Sequence, residues 1–194
     1  TDALQRRLER IPSIADATVR ASITGRLEAT VIEREAAFVW ATNFGRFLGA
    51  ADGTVFASIP NADPMPDALV GLPLITDNRF AARVVSVGDR IPDALLTTAL
   101  RLEALDPALL GSSATSFSVS VDDDYGFRLT SAEPAWEIAL GVYGLDPTET
   151  REEMDARIER QVTAVRTLFA SRPEAEIGWV DVRNPGKVYF RAKG

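Results

Sequence analysis

The acidic run Asp122-Asp123-Asp124, the adjacent Glu33-Arg34, the pair Asp181 and Arg183, and the three tryptophans Trp40, Trp136 and Trp179 are the residues whose types and spacing could carry chemistry. Consecutive aspartates invite a calcium loop. Such a loop needs ligands through its twelfth position; with Gly126 as its sixth-position glycine the twelfth falls on Ala132, which supplies no carboxylate, so a solvated hairpin turn is expected. Glu33-Arg34 could be a catalytic pair, but no second acid, nucleophile or phosphate-cradling glycine loop accompanies it. An ion pair at a strand end is the expectation. The tryptophans could stack on a sugar or a peptide; the apolar alternation around them favours burial in a β core. Asp181 and Arg183 share one face of a strand, where they either pair across to Lys187 or Arg191 or present a charge pattern to a partner.

Neither histidine nor cysteine occurs in the 194 residues. Disulfides, thiolate nucleophiles and cysteine metal sites are therefore excluded, and hydrolytic triads and zinc chemistry lose their usual parts. Neither a cofactor nor a metal ion is expected. A carboxylate-dependent hydrolase acting on wall polymers would need two acids about 5 to 9.5 Å apart in a cleft, and no pairing in the sequence demands it. Twenty-one basic against 28 acidic residues leave a formal charge of −7 with no basic cluster, a poor match to nucleic acid. No run of about 18 apolar residues and no signal-peptide pattern is present, so a membrane would be reached only through an anchor outside this sequence.

What remains is the hydrogen-bonding capacity of the backbone itself, and it concentrates near the C-terminus. Glu176 to Arg183 is rich in aromatic and β-branched residues, Lys187 to Arg191 makes a second such run, and Asn184-Pro185-Gly186 between them is turn chemistry. The two runs predict a hairpin whose second strand forms a sheet edge. Lys187, Arg191 and Lys193 are charges of the kind that blunt an edge, while Val188 and Phe190 on one face and Tyr189 on the other offer apolar neighbours to an incoming strand.

The elements that position this hairpin follow from periodicity. Leu4 and Leu8 among charged neighbours predict a short helix over residues 2 to 10, closed by Ile11-Pro12. Ala17, Val19 and Ala21, then Leu27, Ala29 and Val31, alternate as two antiparallel strands. One short helix on a strand pair is a thin core, so the native domain is expected to begin upstream of Thr1. Phe38 to Thr42 and Phe47 to Ala57 continue as β structure with Asp52-Gly53 a hairpin signal, and Asn61 to Pro73 reads as a loop. Leu95, Leu96, Ala99, Leu102 and Leu105 predict a helix between Pro92 and Leu105. Phe117 to Val121, the strand after Gly126, and Trp136 to Val142 alternate with period two. Met154, Ile158, Val162, Val165 and Phe169 mark a long helix, with Thr150 and Glu153 placed for a capping box and Arg172-Pro173 for its end.

Leu8, Ile11-Pro12, Ile14, Ala17, Val19, Leu27, Val31, Glu33-Arg34 and Trp40, followed by Asp52-Gly53 and Val55-Phe56, form a pattern that resembles the FtsQ/DivIB family of bacterial division proteins. Leu72-Pro73-Leu74, Leu140-Gly141, and Val180-Asp181-Val182-Arg183 with the later Tyr189-Phe190-Arg191 extend the likeness along the chain. Two departures stand out: Ala36 lies where the family often has proline, and no proline precedes the second strand around Thr24-Gly25. The resemblance implies an α+β fold, with residues 1–36 as the second half of a POTRA-like domain. Residues 37–194 would form a mostly antiparallel β domain with two main helices and an open C-terminal edge strand.

It also implies a non-enzymatic scaffold in the divisome, on the extracytoplasmic face of the cell membrane at the septum, as the ectodomain of a single-pass membrane protein. Its partners would be FtsB/DivIC-like and FtsL-like coiled-coil proteins, bound by strand addition at Asn184, Gly186, Lys187, Val188, Tyr189, Phe190 and Arg191, with other divisome components meeting the POTRA region. A POTRA-type peptide-binding or export-assembly module without a division role is the alternative.

Overall fold

The computed structural model describes residues 1–143 and 148–193. The fold is α+β. Among the described residues three α-helices accompany a two-stranded sheet and a nine-stranded, mostly antiparallel one.

Helix α1 (Asp2–Glu9) precedes strands β1 (Ile14–Ala21) and β2 (Leu27–Glu33), which pair antiparallel with Ala17 opposite Val31 and Val19 opposite Ala29. Only Ala17 and Val19 are buried in this part, α1 buries nothing, and every residue of β2 is exposed. The thin core read from the sequence is thus present. Among the described residues, none of the first 36 joins the principal hydrophobic core.

The large sheet is built from β3 (Phe38–Thr42), β4 (Gly45–Gly49), β5 (Val55–Ile59), β6 (Leu74–Asp77), β7 (Ser118–Asp122), β8 (Gly126–Ala132), β9 (Ala135–Gly141), β10 (Ile177–Asp181) and β11 (Tyr189–Ala192). Their order across the sheet is β11-β10-β9-β8-β7-β6-β3-β4-β5. Most neighbours are antiparallel, joined by tight turns; β6 runs parallel to both β3 and β7, and β10 runs parallel to β9. The parallel pairs need crossovers. Helix α2 (Asp93–Glu103) lies between β6 and β7 in the chain, and α3 (Arg151–Ser171) between β9 and β10.

Both helices follow the apolar spacing that predicts them. Leu95, Leu96, Ala99 and Leu102 of α2 and Met154, Ile158, Val162, Val165 and Phe169 of α3 are buried against Trp40, Ile75, Val119, Val121, Leu129, Ile138 and Val180 of the sheet. Each fully buried side chain of this size contributes about 1.5–3 kcal/mol. Thr150 accepts from the Glu153 amide while Glu153 accepts from the Thr150 amide, so the capping box forms and fixes where α3 starts. The opposite face of the sheet carries Ser118, Ser120, Arg128, Thr130 and Glu137 and is open to solvent or half-covered. Among the described residues no helix is long and apolar enough to cross a membrane.

Two features of the sheet differ from the expectation. Leu74–Asp77 is only four residues long, too short for alternation to register, yet it occupies the middle of the sheet with Ile75 fully buried. The β3–β4 hairpin turns at Asn43-Phe44, so β4 starts at Gly45 rather than Phe47. No glycine-containing turn pair separates those strands, and such a pair is the signal that marks a hairpin locally.

Candidate functional site

The C-terminal hairpin forms as its turn chemistry predicts. The Lys187 amide donates to the Asn184 carbonyl at 3.1 Å, and Gly186 adopts φ +71° with open space around it. In register, Asp181 faces Tyr189, Val180 faces Phe190, and Trp179 faces Arg191; a bulge separates this stretch from Ile177 opposite Ala192. β11 has β10 on one side and no described strand on the other.

The backbone phase of β11 follows from one bond. The Lys193 amide donates to the Glu176 carbonyl at 2.8 Å, so Arg191 and Tyr189, two and four residues back on the same strand, also turn their backbone groups toward β10. Phe190 and Ala192 therefore turn theirs outward. These outward amides and carbonyls form an open ladder. At the other margin, β5 is covered at its start: the Val55 amide donates to the Asp89 carbonyl and the Gly88 amide to the Val55 carbonyl, both at 2.8 Å, and Thr54 bridges Arg90.

Side chains on both faces of β11 are exposed by a third to a half: Val188 36%, Tyr189 47% and Phe190 39%. The Arg172 guanidinium at the end of α3 lies 4.8 Å from the centre of the Phe190 ring, which places Phe190 on the helix side. On the opposite side Arg191 lies 5.6 Å from the Trp179 ring, Trp179 meets Tyr125 edge-on at 6.2 Å, and Arg183 stacks over Tyr125 at 4.8 Å. The edge is therefore flanked by cation–aromatic layers on both faces.

Behind the turn, Arg157, Arg160, Gln161, Ala164 and Val182 meet Arg183, Asn184, Pro185, Gly186 and Lys187 around a cavity of about 120 Å³. Gln161 anchors its floor: its amide donates to the Leu140 carbonyl at 2.7 Å and to the Val182 carbonyl at 2.9 Å, while its oxygen accepts from the Tyr143 hydroxyl. Burial pushes the Tyr143 hydroxyl well above its ordinary range, against the opposing pull of Arg157, whose guanidinium lies 4.2 Å from the ring. Four cationic side chains line this cavity and, among the described residues, no carboxylate does. The structure thus brings Asn184, Gly186 and Lys187 to the cavity mouth and Val188, Tyr189, Phe190 and Arg191 to the open ladder.

Elsewhere, two expected ion pairs take other partners. Asp181 does not pair across the hairpin; Arg183 grips it, donating from Nε at 3.0 Å and from Nη2 at 2.7 Å, while the Arg183 amide donates to the same carboxylate at 2.9 Å. Residues two apart share a face and Arg183 is long enough to fold back, so the local partner wins over Lys187 or Arg191. The Arg183 guanidinium holds the Asp181 carboxyl below its usual range despite burial. Glu33 and Arg34 do not pair with each other either, because neighbours on a strand point to opposite sides. Arg34 pairs with Asp52 at 2.6 Å.

The aspartate run is a turn. Asp122 accepts from the amides of Asp124 and Tyr125 and pairs with Arg128 at 2.8 Å, and Asp123 accepts from the Phe80 amide. Among the described residues no group of three or more acids is placed to hold a metal ion. Trp40 and Trp136 are buried, with their indole N–H groups donating to Asp77 and Glu174; Trp179 is half-buried at the sheet end. One further relationship emerges only in three dimensions. Asp77-Asn78-Arg79 repeats the geometry of Asp181-Val182-Arg183, with Arg79 donating to Asp77 from Nε at 2.9 Å and Nη2 at 2.7 Å. The shared Asp-x-Arg spacing at two strand ends is the signal the sequence offers for it.

No family model matches the sequence, and no curated protein matches it.

Proposed function

We propose that the chain is a non-enzymatic docking module, the extracytoplasmic part of an FtsQ/DivIB-like division protein. In this reading residues 1–36 are part of a POTRA-type domain and residues 37–194 the β domain that follows it. β11 accepts a strand from an FtsB/DivIC-like partner held with an FtsL-like one at the septum. The observation that carries the reading is the open ladder at Phe190 and Ala192 beside exposed Val188, Tyr189 and Phe190. It combines hydrogen-bonding groups, which supply affinity, with side chains on both faces, which supply selection. The order of motifs, from Ile11-Pro12 through Trp40 to Asp181-Val182-Arg183, supports the family.

The test is a titration with the soluble segment of an FtsB-like protein. A proline at Val188 removes one donor beside the ladder and abolishes binding while the domain stays folded. Undiminished binding refutes the docking mode. The fully exposed β2 favours a second reading, a POTRA-type module that captures extended peptides without a division role. Recovery of unfolded outer-membrane chains, with no coiled-coil partner, would select it.

A further inference from the structure

The N-terminal unit and the large sheet have separate sheets and share no core, so what fixes their relative orientation must lie in the few contacts between them. Arg34, immediately after β2, is a side chain that crosses. Its amide donates back to the Ser13 carbonyl at 2.8 Å, holding it to the N-terminal unit, while its guanidinium donates to Asp52 Oδ2 at 2.6 Å in the β4–β5 turn. Asp52 is itself held from the other side, since its Oδ1 accepts from the Thr54 amide at 3.0 Å. One further approach is apolar: Pro12 sits 3.7 Å from where a Cβ on Gly88 would stand.

We propose that Arg34–Asp52 is a latch, and that the N-terminal unit swings on the segment Glu35-Ala36 when the latch opens. The geometry fits a reversible clasp better than a permanent joint. The Arg34 side chain is 19% and the Asp52 side chain 46% exposed, so water and salt reach the pair, and no apolar surface of the first 36 residues is sealed against the principal core. Facing the pair from the same turn is the Thr54 amide; burial raises the Asp52 carboxyl, and this amide with Arg34 outweighs that and leaves it below its usual range. The inference stands apart from the docking reading, because it concerns a joint between units and not the margin at β11.

The absence of cysteine allows two spin labels on the whole chain without background, at Ile23→Cys in the β1–β2 turn and Ala170→Cys near the end of α3. The expected result is a single narrow distance distribution for the otherwise unchanged chain, and a broader, shifted one for Asp52→Asn, which keeps the acceptor for the Thr54 amide but removes the charge. Arg34→Asp, which sets two carboxylates against each other, broadens the distribution at least as far. A distribution for Asp52→Asn that superimposes on the parent overturns the latch, and so does a parent distribution already as broad as the variant's. Should Arg34→Asp alone prove poorly folded, Arg34→Gln, which retains the stem of the side chain, gives the same two-way decision.

Discussion

Arg183 closes on Asp181 through its own amide and two guanidinium nitrogens, and the same guanidinium reaches on to the Asp124 carbonyl at 3.1 Å. One side chain thereby ties the last residue of β10 to the turn before β8, across β9. The hairpin that follows is aimed from this point.

Replacing Asp181 by asparagine tests that tie. The carboxylate is buried and accepts from charged donors, so its loss is expected to cost about 1–3 kcal/mol in a urea titration. The folded carboxyl lies below its unfolded value of 3.8, so its stabilisation is complete above about pH 4 and disappears as pH falls through the lowered folded value. The parent should lose stability across that acid window, and Asp181→Asn should show a shallower decline. An identical slope in both proteins would show that another carboxyl governs acid unfolding.

Proline placed along β11 reads the backbone phase directly. Ala192 turns its amide outward, so Ala192→Pro should leave stability within about 0.5 kcal/mol. Arg191 turns its amide toward Trp179, and Arg191→Pro removes a ladder bond, which should cost about 1 kcal/mol or more and raise amide exchange along β10. Equal costs at both positions would contradict the assigned phase.

Gln161 is buried and joins three elements by its bonds to Leu140, Val182 and Tyr143. Gln161→Leu keeps the approximate volume but strands two carbonyls and a hydroxyl. A loss of about 2–4 kcal/mol is expected by chemical denaturation. A neutral result would mean that water replaces the side chain.

Gly126 has φ +68°, and a Cβ there would lie 2.2 Å from the Gly141 carbonyl carbon. Backbone cannot step aside as a side-chain tip can, so Gly126→Ala should exceed about 3 kcal/mol or prevent folding. Gly25 has φ +79° with nothing within 4 Å, and Gly25→Ala should cost only the strain of about 1–2 kcal/mol. Thermal melts of the two variants side by side decide it.

The contrast between what the chain discloses and what it conceals follows the same physics. Helix α3 is legible because Met154, Ile158, Val162, Val165 and Phe169 repeat over about four turns and Thr150 with Glu153 mark the start. The hairpin at Asn184-Pro185-Gly186 is legible because its turn residues are local. β6 is not, because four residues cannot show a period and its place between β3 and β7 is set by non-local pairing. The partners of Arg34 and Arg183 escape sequence reasoning for opposite reasons: one reaches 18 residues along the chain, the other folds back two. The margin at β11 is foreshadowed by Lys187, Arg191 and Lys193, charges of the kind that a sheet edge carries; the cavity beneath its turn is not, because Arg157 and Arg160 come from a distant helix.

The clasp of Gly88 and Asp89 on Val55 makes the two margins of the large sheet unequal. At the β5 margin Val55 already commits its amide and its carbonyl to its own chain, so a second strand arriving there would first have to displace that loop from the first residue of β5. In the docking reading proposed above, that cost biases a guest toward β11.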